Sequence, residues 1–204
     1  MPFTPGMDFA GVVREVGSEV TDFAVGDRVF GATLITRGGS YAEYVTAPAA
    51  IVAHVPENIP LGIAAAVPLA ALTAWEATFN AAQRDGRAGN RVLIQGGAGG
   101  TGTFAVQFAK QCGAYVIATS SAHNHDLLRK LGADEVVDYR GARFEDVVDP
   151  VDAVIDLVGG DVRCGRSPSF AKVACWSRSY HLRTPRLSAR PSQVVMAFAC
   201  LTLI

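Results

Sequence analysis

Cysteine is scarce in this sequence. Cys112, Cys164, Cys175 and Cys200 are the four in 204 residues, and no two stand in a C-x-x-C spacing. That pattern argues against a disulfide framework and against a cysteine-rich zinc site. Charge of one sign is also missing: 18 Lys/Arg face 19 Asp/Glu, for a formal net charge of −1. Nothing in that balance points to nucleic acid or an anionic membrane. No uninterrupted apolar run reaches the roughly 18 residues of a membrane span. The opening Met1-Pro2-Phe3-Thr4-Pro5-Gly6 has neither the basic n-region nor the apolar h-region of a secretory leader. These absences lead to the expectation of a cytoplasmic protein with no nucleic-acid or membrane partner. Half of the residues are apolar, enough for a sizeable core in one or two domains.

The strongest positive signal lies in residues 91–110. Val92, Leu93 and Ile94 read as a buried strand, Phe104, Ala105, Val106, Phe108 and Ala109 as one apolar helix, and a glycine turn joins them. Within the turn, Gly97, Gly99 and Gly102 fit G-x-G-x-x-G in the strand–turn–helix setting that the motif requires. The first glycine is assigned the tight turn, the second the approach of backbone to a pyrophosphate, the third the packing of helix on strand. Gly97, Ala98, Gly99, Gly100, Thr101 and Gly102 together form the candidate phosphate cradle, at a helix N-terminus that favours negative charge. A competing reading is a glycine-rich turn in an unrelated α/β protein.

The next strand, Tyr115 to Thr119, ends at Ser120-Ser121. NAD-selective sites place an Asp or Glu about 20 residues past the glycines, on the ribose 2′-hydroxyl. Small hydroxyls stand there instead, followed by His123 and Asn124. With no carboxylate to repel a 2′-phosphate, Ser120, Ser121 and Asn124 become candidate contacts and NADP (NADPH) is favoured over NAD. The alternative is a solvated strand end.

Along the chain, residues 1 to about 55 read as β-rich, with strands at 11–16 and 41–45. From 61 to 82 the chain is Ala-rich and helical, and Pro68 is expected to bend or restart that helix. Residues 85–90 read as a turn, 124–131 as a helix, and 135–137 and 153–157 as short strands. Strands alternating with helices point to an α/β fold with a parallel, doubly wound sheet.

Several separated stretches now come together. They are Pro5-Gly6-Met7-Asp8-Phe9-Ala10-Gly11, Val25-Gly26-Asp27-Arg28-Val29, Gly39-Ser40-Tyr41-Ala42-Glu43-Tyr44-Val45, Leu72-Thr73-Ala74-Trp75, the glycine turn, Leu131-Gly132-Ala133-Asp134, and Asp156-Leu157-Val158-Gly159-Gly160. In this order they resemble the medium-chain dehydrogenase/reductase superfamily, in its zinc-independent quinone oxidoreductase (zeta-crystallin-like) and enoyl-reductase branch. The resemblance implies a partial GroES-like β domain over 1–60. It implies the first half of a Rossmann-type, NADP-binding domain over 61–161. It also implies NADPH-dependent hydride transfer to an activated double bond or a quinone, and homo-oligomers among full-length relatives. Thr73 and Val158 match positions near the nicotinamide, and Tyr139 one near the adenosine 2′-phosphate. No catalytic residue is assigned: Tyr41 and Tyr44 are possible donors, or simply strand residues. Zinc-dependent relatives carry Gly-His-Glu where this chain has Gly6-Met7-Asp8, so no metal is expected, and Asp8 and Glu43 read as polar residues of the barrel.

Residues 162–204 do not fit that pattern. Seven of the 18 Lys/Arg and none of the 19 Asp/Glu lie there, with three of the four cysteines. A native basic tail for an acidic partner is one explanation. The favoured one is a reading-frame change after about residue 161, because synonymous codons exist for residues 162–177 that, read two bases later, encode the helix, Gly-Gly turn and strand that the family pattern calls for. The tail is then a non-family segment expected to supply no strands, and the chain is expected to lack both ends of the family pattern and to be inactive as a fragment. A dinucleotide-binding module without turnover, and a nonfunctional truncated product, are the alternatives to a reductase.

Overall fold

The computed structural model describes residues 4–34, 36–81, 89–141, 143–159, 174–177 and 193–197. The chain divides into two compact units, Met1–Leu69 with Arg183–Ile204, and Ala70–Leu182. The expected turn at 85–90 falls mostly outside the described residues, as do 163–173 and 178–190 of the tail.

The first unit is an antiparallel sheet. Its strands are β1 (Asp8–Val16), β2 (Arg28–Ala32), β3 (Tyr44–Pro48), β4 (Val52–His54) and, from the far end of the chain, β10 (Gln193–Ala197). Their order is β3-β10-β1-β2-β4. Phe9, Val13, Val29, Val45 and Ala47 form the core, covered by Phe23, Ile51 and Val52 among others. In β2 and β3 alternate residues are buried, the period-2 pattern of a half-buried sheet. The strand expected at 41–45 begins three residues later, so Tyr41 sits on a loop, largely exposed, and Tyr44 opens β3.

The second unit is the parallel sheet expected from the sequence. Its strands β5 (Arg91–Gln95), β6 (Tyr115–Ser120), β7 (Glu135–Asp138), β8 (Ala153–Asp156) and β9 (Ala174–Ser177) lie in the order β7-β6-β5-β8-β9. Strands β5, β6 and β8 bury side chains on both faces. Val92, Ile94, Val116, Ala118 and Ile155 pack on one side with Ala105, Val106 and Ala109 of α3 (Gly100–Gln111) and Leu128 of α4 (His125–Leu131). Leu93, Ile117 and Val154 pack on the other with Phe144 of α5 (Phe144–Val147), Val148 and Val151. Two-sided burial is what turns these strands into near-continuous apolar runs.

The helix after residue 60 behaves as Pro68 suggests. A short α1 (Leu61–Ala64) stops, α2 (Pro68–Trp75) restarts at the proline, and a π-helical turn (Glu76–Ala81) follows. One stretch bears on the expected lack of a membrane span. Among the described residues, Leu61–Phe79 does have the length and apolar composition of a membrane span. Its interruptions at Thr73 and Glu76 hid it from a search for unbroken runs. Ala74, Ala77 and Thr78 of this stretch are buried, and a core helix of a folded domain meets the same criterion.

The tail expectation is corrected. Ala174–Ser177 pairs in parallel with β8, from Ala153↔Ala174 to Asp156↔Ser177, and Gln193–Ala197 pairs with both β1 and β3. A strand of four or five residues needs only backbone partners and a locally suitable sequence. The excess of cations and the missing periodicity across the rest of the tail do not bear on it.

Two carboxylates at strand beginnings extend the parallel ladder. Asp134 N–H donates to the Val116 carbonyl (2.8 Å) while Asp134 Oδ2 accepts from Val116 N–H (2.8 Å), and Asp152 treats Arg91 the same way (2.9 and 2.8 Å). Burial pushes the Asp134 carboxyl up, but hydrogen bonds from Lys110 Nζ (2.6 Å) and Val116 N–H outweigh it, and the net shift is downward. A depressed acid contributes stability above its unfolded value and loses it as pH falls through the folded one. Asp134→Ala is expected to cost about 1–3 kcal/mol by orphaning a buried N–H. Urea denaturation at pH 7 and at low pH checks this, because the difference between parent and variant should shrink on acidification.

Candidate functional site

The glycine turn occupies the place where a doubly wound sheet takes ligands. From β5 the chain steps outward to β6 and β7, then crosses back to β8 on the other side of β5. The crevice beyond the carboxyl ends of β5 and β8 is the topological switch point. The two loops that flank it touch: a Cβ built on Gly96 would lie 3.1 Å from Val158 Cγ2.

The glycines of the turn other than Gly100 each have a visible reason, and one differs from the sequence assignment. The tight turn falls on Gly96, whose φ is +72°, a conformation that glycine adopts without steric cost. Gly97 instead makes room for packing, since a Cβ there would sit 2.9 Å from Ala118 Cβ. The sequence reading missed Gly96 because G-x-G-x-x-G fits only from Gly97, which leaves the glycine before it outside the motif. Gly102 is the close approach of helix to strand: its Cβ would fall 2.2 Å from the Gly96 carbonyl oxygen and 2.7 Å from that of Gly97. At Gly99 a Cβ would meet the Gly96 oxygen at 3.3 Å, and at Gly100 it would meet nothing within 4 Å. Gly99 is the N-cap of α3 and brings no side-chain cap. The N–H groups of Gly100, Thr101 and Gly102 have no intrahelical acceptor. An anion can approach these N–H groups over Ala98 and Gly99, and the residues therefore fit a pyrophosphate.

The turn is held by the neighbouring strand. Gly97 N–H donates to the Thr119 carbonyl (3.0 Å), and Gly96 N–H donates to Thr119 Oγ1 (3.1 Å). The Thr119 hydroxyl is thus committed to shaping the cradle. Ser120 and Ser121 are buried; Ser120 Oγ donates to the Ser121 carbonyl (3.1 Å), and Ser121 Oγ lies 3.1 Å from His123 Nδ1. Asn124 follows on a half-buried 3-10 turn. Tyr139 is brought to the same place: its N–H reaches the Ser120 carbonyl (3.4 Å), and the Arg140 guanidinium lies 5.7 Å from its ring centre. Arg140 is an exposed cation that the sequence reading did not single out. The structure also places Asp138 opposite Ser120, with its Oδ1 accepting from Arg140 N–H (2.9 Å).

On the β8 side, Val158 is exposed beside the turn, on a loop fixed by a fully buried carboxylate. Asp156 Oδ1 accepts from Val158 N–H (3.0 Å) and Gly159 N–H (2.8 Å). This positioning role was missed; its sequence signal is an Asp at a strand end two residues before a valine and a glycine. Thr73 stands half-buried on α2, and among the described residues no hydrogen bond joins it to the turn.

No three His, Cys, Asp or Glu side chains gather as a metal site among the described residues. Asp8 Oδ1 accepts from the Leu69 N–H (2.7 Å), and burial pushes its carboxyl up against that bond. A carboxyl that resists ionisation, next to Met7, is a poor zinc donor set. The residues here do not fit the metal.

Comparison with known proteins adds the following. The alcohol dehydrogenase GroES-like domain model matches residues 1–57, and the zinc-binding dehydrogenase model matches residues 100–167. The mitochondrial NAD(P)H oxidoreductase RTN4IP1 of Homo sapiens is 38% identical over 191 residues, covering 91% of this chain and 48% of the relative. The chloroplastic NADPH-dependent alkenal/one oxidoreductase of Arabidopsis thaliana is 38% identical over 168 residues, covering 78% and 42%. The quinone oxidoreductase of Coxiella burnetii superposes with a TM-score of 0.73 at 43% identity, covering 79% of this chain and 51% of that one. The chain spans about half the length of the curated relatives it matches.

Proposed function

We propose, for a chain that belongs to the medium-chain dehydrogenase/reductase superfamily, a reductase of the zinc-independent quinone or enone type that binds NADPH. The observation that carries this reading is the cradle at Gly96–Gly102, closed to any side chain at Gly102 and open for an anion at Gly99 and Gly100. When bound, the nicotinamide supplies the hydride. The protein's part is to hold the phosphates on the α3 N–H groups and to present Val158 against the ring side of the crevice. Positioning of this kind can supply a large share of a barrier without an acid, base or metal. The substrate class, an α,β-unsaturated carbonyl or a quinone, follows the names of the relatives. The cytoplasmic location remains part of the proposal, beside relatives named mitochondrial and chloroplastic.

NADPH over NADH is supported by the lack of a carboxylate at the end of β6 itself, by Tyr139, and by the exposed Arg140 guanidinium as a partner for a dianion. Asp138 works in the other direction. Fluorescence titration of the protein with both cofactors is expected to show at least about tenfold tighter NADPH binding, or 1.4 kcal/mol. Arg140→Ala should weaken NADPH and leave NADH unchanged. Equal affinity for the two cofactors would overturn the NADPH reading, and failure to bind either would overturn the dinucleotide site itself. Elemental analysis of the purified protein should find well under one zinc per chain, and a chelator should leave its melting temperature unchanged.

A further inference from the structure

We propose that the slot between β1 and β3 is a strand-acceptor site, whose ligand is an extended, uncharged, proline-free peptide of the kind that Gln193–Ala197 itself supplies. In the sheet order β3-β10-β1-β2-β4, the only neighbour of β3 among the described residues is β10. The pairing is antiparallel on both sides, with Val194↔Ala47 and Met196↔Val45 on one edge, Met196↔Val13 and Val194↔Val16 on the other. Val45 and Ala47 nevertheless belong to the same buried core as Phe9, Val13 and Val29. Their backbone satisfaction therefore depends on a segment from the opposite end of the chain.

An empty slot would leave two facing rows of unpaired N–H and C=O groups, along β1 and along β3. Such edges recruit extended chain by main-chain hydrogen bonding, which is indifferent to whether the strand is tethered. The register slips between Val13 and Glu15 of β1. An irregularity of this kind pins one alignment of the incoming strand and increases the local twist. The segment Gln-Val-Val-Met-Ala carries no charge, proline or glycine and has high strand propensity. It is not delivered by a tight turn: β9 ends at Ser177 and β10 begins at Gln193. The tether sets a finite effective concentration for this segment, on the order of mM, which a free peptide supplied in excess can match. A peptide of the same sequence supplied in trans should therefore compete for the slot.

The test uses the full chain. In T46C/V195C the two cysteines occupy directly paired positions, Thr46↔Val195. Mild oxidation is expected to form the disulfide in most chains. An excess of the synthetic peptide Ser-Gln-Val-Val-Met-Ala-Phe should reduce its yield several-fold, whereas a scrambled peptide should not. A disulfide between two chains that rises with protein concentration would show the same slot filled by a second copy, and also supports the proposal. Absence of the disulfide, or a yield indifferent to the peptide, overturns it. A second measurement does not depend on cysteines. Val195→Pro removes a ladder N–H from a central strand and should speed amide exchange by about tenfold or more at those residues among Val45, Thr46 and Ala47 whose N–H faces β10. Leu93, Ile94 and Ile117 should remain protected, and the peptide should restore protection to β3. Unchanged exchange at β3, or no rescue by the peptide, also overturns the proposal.

Discussion

Alanine at Gly102 is expected to remove dinucleotide binding and to destabilise the second unit at the same time, whereas valine at Gly99 should remove binding alone. The added Cβ at Gly102 would lie 2.2 Å from the Gly96 carbonyl oxygen and 2.8 Å from the Gly97 carbonyl carbon. Both obstacles are backbone, so no side-chain rotamer relieves them. Either α3 moves off β5, or the turn opens and loses the Thr119 hydrogen bonds. The cost should reach or exceed the ~3 kcal/mol upper end of ordinary overpacking. At Gly99 the only atom close to a Cβ is the Gly96 oxygen, at 3.3 Å, a contact that a shift of a few tenths of an ångström relieves. The larger side chain would instead stand where a pyrophosphate approaches the α3 N–H groups. A loss on the order of a hundredfold in affinity, about 2.7 kcal/mol, is expected with an unchanged denaturation midpoint. Calorimetric titration and urea denaturation of both variants check the pair. If Gly99→Val binds NADPH as tightly as the parent, the phosphates do not sit at this turn.

The second large effect is expected at Asp156. This carboxylate is fully buried at the end of β8 and accepts from both Val158 and Gly159 N–H groups. Charge-assisted bonds of this kind are individually worth more than neutral ones. Asp156→Ala leaves two donors without their acceptor and frees the loop that faces the glycine turn. Destabilisation of about 3 kcal/mol follows from two orphaned groups at the usual desolvation cost. Asp156→Asn keeps an oxygen at the same place and should recover most of that loss. Thermal and urea unfolding would measure both variants. If alanine and asparagine are equally mild, the loop is held by packing of Leu157 and Val158 and the carboxylate does not matter.

The parts of this protein that the sequence alone determined are the local ones. The β5–turn–α3 unit was legible because apolar run, glycine spacing and apolar helix are contiguous, and each constrains the next. The restart at Pro68 was legible because proline's ring and missing N–H act on its own helix turn. The two-sided parallel sheet followed from short apolar strands alternating with helices.

The tertiary structure alone decided which distant groups share a site. Gly96 rather than Gly97 takes the positive φ, because Gly97 is needed to clear Ala118 on the next strand. Asp138 and Tyr139 reach Ser120 only through the pairing of β6 with β7, and Arg140 follows them in the chain. The hydroxyls that looked available at the end of β6 are largely engaged, one of them by the turn itself. The tail shows the same division most clearly. Its composition announces a break after residue 161, yet Ala174–Ser177 and Gln193–Ala197 find edges to pair with. A strand's partners are backbone groups far away in sequence, so a short segment that looks unremarkable beside its neighbours is placed by the edge that receives it.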